Sequence, residues 1–171
     1  MNKFCTLTDN GFNIDTTGRV GHCCIQKRDL IVDWNTVDDM NDWYKNNTLL
    51  NSITACESCW HNERNNKESK RHRVNQQYGS TDQSIRHLDL RLSNKCNLQC
   101  KMCSGGFSDQ IVNLAHELKA NGVDNDLLRS IPSTKNIDVG KLLDLVLELP
   151  DLQTLRFAGG EPFIMPEVEE F

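Results

Sequence analysis

Cys96-Asn97-Leu98-Gln99-Cys100-Lys101-Met102-Cys103 sets three cysteines in a C-x-x-x-C-x-x-C pattern. Three thiolates on one short loop can hold a metal. Zinc in a structural site wants four ligands, whereas a 4Fe-4S cluster held by three cysteines leaves one iron open to a non-protein ligand. Further along stands Gly159-Gly160-Glu161-Pro162. Paired glycines let backbone approach a ligand closely, and Glu161 offers a carboxylate acceptor to an ammonium group. A second set begins with Cys5, continues through Gly18 to Cys23, and ends in Cys56-Glu57-Ser58-Cys59. Four thiolates close a site, which suits a structural role or electron transfer, and their spacing alone does not choose between zinc and iron-sulfur. Cys24 is the spare thiol. It is an alternative to Cys23, although adjacent side chains on a strand point opposite ways.

The elements that must position these groups follow from local pattern. Phe12, Ile14 and Val20 flank Asp15-Thr16-Thr17-Gly18, which reads as a hairpin whose turn uses the conformational freedom of Gly18. Its second arm delivers Cys23 and Cys24 at a strand end. Thr36 to Leu50 carries Val37, Met40, Trp43 and Tyr44 at helical spacing, with Asn35 or Thr36 as N-cap and Asp38 and Asp39 in the first turn. The polar run Glu57 to Gln77 reads as one helix, largely facing solvent. A boundary is expected around Gly79-Ser80-Thr81-Asp82, giving domains 1–79 and 80–171. Leu88, Leu90 and Leu92 then alternate as a strand. The three-cysteine loop follows, and Ser104-Gly105-Gly106 leads into a helix with Ile111, Leu114, Ala115 and Leu118, closed by Asn121-Gly122. A linker containing Pro132, a helix over Val139 to Leu149 ended by Pro150, and a strand over Thr154 to Phe157 complete a βαβ pattern, which predicts parallel strands.

Composition limits what such a chain does. It has 171 residues, a net charge of −5, 25% charged and 37% hydrophobic residues, and no run approaching a transmembrane span. Met1 to Asn10 lacks the apolar segment of a signal peptide, so the expected compartment is the cytoplasm. Eight cysteines in 171 residues fall short of a disulfide scaffold, and reduced thiols are metal ligands first. The acidic balance argues against nucleic acid as a partner.

Cys96 to Cys103 after a first strand, with Gly159 to Pro162 after a second, resembles the start of a radical S-adenosylmethionine (SAM) enzyme. The resemblance implies that Cys96, Cys100 and Cys103 carry a catalytic 4Fe-4S cluster whose open iron chelates the amino and carboxylate groups of SAM. Reductive cleavage then yields a 5′-deoxyadenosyl radical that abstracts hydrogen. By the same resemblance, the loop Gly159, Gly160, Glu161 and Pro162 belongs to the SAM site, Glu161 closing the segment that hydrogen-bonds the methionyl amine. Met102 belongs there too, where relatives often place an aromatic residue beside the adenine. Cys5, Cys23, Cys56 and Cys59 resemble a twitch domain, the short relative of the SPASM domain, and this implies one auxiliary 4Fe-4S cluster. In many relatives that module follows the barrel, whereas here it precedes it. An electron donor such as flavodoxin or ferredoxin is implied, with a peptide, protein or small molecule as substrate.

The expected architecture is therefore α/β: a small α+β twitch-like module and then the N-terminal portion of a partial (β/α) TIM-like barrel. With two strands supplied where such a barrel needs several more, the chain reads as an N-terminal fragment or as a stub completed by another polypeptide. Two other readings stand beside the enzyme. One is a zinc-stabilised binding module using the basic run Arg64, Lys67, Lys70, Arg71, His72 and Arg73, which otherwise reads as a solvated helix face. The other is a non-catalytic radical SAM remnant. His22 and His61 adjoin cysteines as alternative ligands, Trp60 reads as a shield against water, and His87 and His116 as ordinary strand and helix residues. No Ser/His/Asp arrangement or phosphate loop stands out.

Overall fold

Parallel strands of this chain come from segments far apart in sequence. In the computed structural model, residues 4–25, 37–46, 56–79, 82, 84–123 and 138–171 are described. Helix α1 (Thr6–Asn10) runs directly into strand β1 (Gly11–Ile14), and β2 (Val20–Gly21) completes the expected hairpin. Gly18 closes the turn with φ 74° and donates its N–H to the Asp15 carbonyl at 2.9 Å. Helix α2 spans Val37–Asn46, within the expected 36–50, and its proposed caps Asn35 and Thr36 and the linker around Pro132 lie outside the described residues.

Two helices occupy the run expected as one. Helix α3 (Glu57–Arg64) stops at Asn65, and α4 (Lys70–Gln77) restarts after Ser69. The break has a local cause: Asn66 takes φ 54°, a left-handed conformation that asparagine tolerates, and Ser69 caps the new helix by accepting the His72 N–H at 3.0 Å. Strand β3 is His87–Leu90. Leu88 and Leu90 are fully buried, as their alternation predicts, and Leu92 is buried just past the strand. Helix α5 (Asp109–Ala120) and helix α6 (Val139–Leu147) lead to β4 (Thr154–Phe157), with a 3-10 turn (Pro162–Ile164) and α7 (Pro166–Glu169) after it. Leu142, Leu143, Val146 and Leu149 bury one face of the α6 segment, the spacing expected of an amphipathic helix.

The sheet is mixed, in the order β2-β1-β3-β4. Arg86 and Arg91 donate N–H groups to the carbonyls of Asn10 and Ile14, and Thr154 and Ala158 donate to those of Arg86 and Leu90. Both registers advance together, so β1, β3 and β4 are parallel and only the hairpin arm β2 is antiparallel. The expected boundary at residues 79/80 thus lies between two strands, β1 and β3, that pair in one sheet. The compact units are drawn differently: 1–13, 19–89 and 145–156 form the first, and 14–18, 90–144 and 157–171 the second. Among the described residues no helix is long and apolar enough to cross a membrane.

Candidate functional site

In the first unit, Cys5, Cys23, Cys56 and Cys59 line one small cavity together with Lys70 and Arg71. The four thiols come from four local settings. Cys5 precedes α1, Cys23 follows β2, Cys56 caps α3 and Cys59 sits in its first turn. Helix α4 fixes the first of them from both sides. Arg71 donates to the Phe4 carbonyl at 2.8 Å and Asn75 Nδ2 to the same oxygen at 3.0 Å, while Asn75 Oδ1 accepts the Thr6 N–H at 2.8 Å. Leu7 and Val74 pack with Cys5 in a small core cluster against which Cys23 and Tyr78 lie.

The guanidinium of Arg71 also ties α4 to α3. Its Nε and a terminal nitrogen grip both oxygens of Glu63, at 2.9 and 2.6 Å, and Ser69 Oγ donates to Glu63 at 2.6 Å. Both side chains of the pair are almost fully buried, and the guanidinium carbon stands 4.7 Å above the Trp60 ring. A planar fork matched to a carboxylate is the geometry in which a buried pair repays desolvation best. The basic run is therefore not a solvated face throughout. Arg71 is buried and Lys70 half-buried with its Nζ 2.6 Å from Cys24 Sγ, whereas Arg64, Lys67, His72 and Arg73 are exposed. Trp60 serves as a platform for Arg71.

Cys23 and Cys24 both sit in the turn after β2, so the strand alternation expected to separate them does not apply. The cavities distinguish them instead. Cys23 lines both the four-cysteine cavity and a second, larger one, whereas Cys24 lines the larger one alone of these two, with His22. Burial pushes the Cys5 and Cys56 thiols up, with the neighbouring cysteines adding to it. The hydrogen bond from Cys23, reinforced by Lys70, holds Cys24 well below the ordinary thiol range and drives Cys23 up in return. His61 is exposed at the surface of α3.

The second unit holds the other loop. Ser108 precedes α5 but does not cap it; its hydroxyl donates instead to the Leu98 carbonyl at 2.9 Å. Asp109, in the first turn, accepts the Cys96 N–H at 3.0 Å, and its own N–H donates to Asn94 at 2.8 Å. The start of α5 thus holds the start of the loop. Cys103 closes the other end with an N–H to the Cys100 carbonyl at 2.9 Å. Cys96 is buried, Cys103 half-buried and Cys100 exposed, and desolvation together with the Cys100 and Cys96 thiols raises Cys103. Met102 is 93% exposed.

Gly159 to Pro162 lies against this loop. Glu161 donates its N–H to the Lys95 carbonyl at 2.8 Å, immediately before Cys96, and Gly160 donates to Phe107 at 2.9 Å. Gly160 is at φ 62°, and a Cβ there would run into the Lys95 carbonyl oxygen. Only glycine fits. The Glu161 carboxylate accepts from the Phe163 N–H at 3.4 Å, a weak bond that leaves it acceptor capacity.

Both cysteine sets fit a thiolate-bound cluster in donor chemistry: four thiols around a cavity, and three on a braced loop beside a glycine that admits no side chain. All eight cysteines are free thiols, and among the described residues no three His, Cys, Asp or Glu side chains stand close enough to share a single metal ion. Sequence reasoning missed Glu63, Ser69, Arg71 and Asn75 on one side and Ser108 and Asp109 on the other. The available signals were the serines one residue ahead of the helix starts at Lys70 and Asp109, Ser69 and Ser108. Comparison of the chain with protein-family models, with curated proteins and with solved structures gives no match.

Proposed function

We propose that the chain carries the cluster- and SAM-binding part of a radical SAM oxidoreductase. The observation that supports it most is the laying of Gly160 and Glu161 along Lys95 and Phe107, which brings together two motifs with 55 residues between Cys103 and Gly159. In this reading Cys96, Cys100 and Cys103 hold a 4Fe-4S cluster, and Cys5, Cys23, Cys56 and Cys59 an auxiliary one in a twitch-like module ahead of a (β/α) barrel. The bound groups supply reductive cleavage of SAM, fed by a donor such as flavodoxin or ferredoxin, and hydrogen abstraction from a peptide, protein or small-molecule substrate.

The chain's own residues have definite tasks there. Asp109 and Ser108 fix the backbone of the loop so that Cys96 presents its thiolate from a buried root while Cys100 reaches outward. The positive-φ glycines bring backbone close to the ligand, and Glu161 accepts from its ammonium group. Arg71 and Glu63 hold α3 and α4 together, so Cys5 keeps its place beside Cys56 and Cys59. Their burial excludes water from that cavity, which is itself a lever on redox potential.

The test begins with iron, sulfide and zinc content after reconstitution without oxygen. Two four-iron sites give about eight irons per chain with matching sulfide. Cys100→Ala should remove about half of that iron and, in the complete enzyme, abolish 5′-deoxyadenosine formation. Stoichiometric zinc with no visible colour, or an unchanged 5′-deoxyadenosine rate in Cys100→Ala, would overturn the assignment in favour of a zinc-stabilised module.

A further inference from the structure

The first unit contains a second cavity, which shares Leu7, Cys23 and Lys70 with the four-cysteine one. It encloses about 340 Å³, within the size range of small-molecule sites. Three cationic side chains line it, Lys70, Arg73 and Arg156, with the Asp89 carboxylate and the Cys24 thiol that Lys70 meets at 2.6 Å. Arg73 and Arg156 are mostly exposed and form its mouth, Arg73 standing 3.7 Å from Glu68 and Arg156 3.6 Å from Asp89, both beyond hydrogen-bond reach. Deeper in, Asn13 is 1% and His87 7% exposed. Each keeps one buried polar atom with no hydrogen-bond partner, Oδ1 of Asn13 and Nε2 of His87. Their other ends are engaged. Asn13 Nδ2 donates to the Asp89 carbonyl at 2.8 Å, and His87 Nδ1 meets Thr154 Oγ1 at 3.3 Å. Neither group can turn to find a partner without breaking a bond it already makes, and an unmatched buried polar atom is costly. A ligand that supplies the missing partners relieves that cost.

We propose that this cavity binds a small carboxylate that also carries an N–H donor, the carboxylate meeting Arg73 and Arg156 at the mouth and the donor meeting Asn13 Oδ1 within. The C-terminal end of a peptide and a free amino acid share that chemistry. The assignment stands on the cavity alone and does not require either cluster.

Isothermal titration of the full chain with four probes tests it: N-acetyl-L-alanyl-L-alanine, its methyl ester, L-alanine and butyrate. At least one of the two carboxylates that carry an N–H should bind saturably, with the ester and butyrate weaker by about tenfold, the loss expected for one charge-assisted or buried hydrogen bond. Tighter binding of the acetylated dipeptide assigns a peptide end, and tighter binding of L-alanine a free amino acid. Arg156→Gln, at an exposed position, should weaken the preferred probe by about tenfold with the far-ultraviolet circular dichroism unchanged. Equal affinity for acid and ester, equal affinity for butyrate, an unaffected Arg156→Gln, or no saturation up to about 10 mM, the range of the weakest specific ligands, would overturn the proposal.

Discussion

The two cysteine sets are built in opposite ways. Around Cys5, Cys23, Cys56 and Cys59 the thiols line an enclosed space, and the elements that carry them are clamped by a buried ion pair. Around Cys96, Cys100 and Cys103 the root is tied down by the Asp109 carboxylate and the Ser108 hydroxyl while Cys100 and Met102 stand in the open. The contrast teaches what each can do. A four-thiol site closes on its contents and tolerates a rigid, dry frame, whereas a three-thiol site that accepts an outside ligand needs access on one side.

Breaking the clamp should have the largest effect on stability. Arg71→Met leaves Glu63 as a buried charge without its fork, and removing one partner of such a pair costs about 3–5 kcal/mol. Urea unfolding without oxygen measures it. A loss below about 1 kcal/mol, the range of exposed pairs, would show that the frame of the four-thiol site is not carried by this pair. Next in size is Gly160→Ala in the other region. Its φ of 62° and the Lys95 carbonyl in the way make the substitution cost about 1–3 kcal/mol or force the loop aside. On the proposed SAM-binding role, the same variant should weaken SAM binding more than it weakens folding, and unchanged SAM affinity would detach this segment from that role.

Acid sharpens the comparison. The Arg71 guanidinium, with help from Ser69, holds the Glu63 carboxyl below the usual carboxylate range. A depressed folded value contributes stability that is complete above the unfolded value of about 4.3 and is lost as pH falls through the lower folded value. The stability advantage of wild type over Glu63→Gln should therefore hold at neutral pH and shrink on acidification below that point. An advantage constant from neutral pH to pH 3 would contradict it. The smallest effect belongs to Met102→Ala. A side chain 93% exposed should change folding by no more than about 0.5 kcal/mol, so any fall in SAM affinity reports contact with the ligand rather than loss of structure.

Much of this was legible in the residue order. The hairpin around Gly18, the α6 face of Leu142, Leu143 and Val146, and the helix after the three-cysteine loop are local patterns, and local patterns are what periodicity and turn chemistry encode. The run from Glu57 to Gln77 was less legible, because Asn65 and Asn66 are compatible with a helix and only the buried Glu63–Arg71 pairing makes the break worthwhile. Arg71 looked like one charge among six for the same reason.

The sequence by itself determined which thiols are available, at what spacing, and on which kinds of element. Tertiary structure decided which of them share a cavity: Cys23 rather than Cys24 lines one with Cys5, Cys56 and Cys59, and Gly160 comes to rest on Lys95. It also decided that β1 pairs in parallel with β3, where Asn13 reaches the Asp89 carbonyl across 76 residues. Such contacts depend on the burial and hydrogen-bonding needs of two distant segments at once, and no window of sequence contains both.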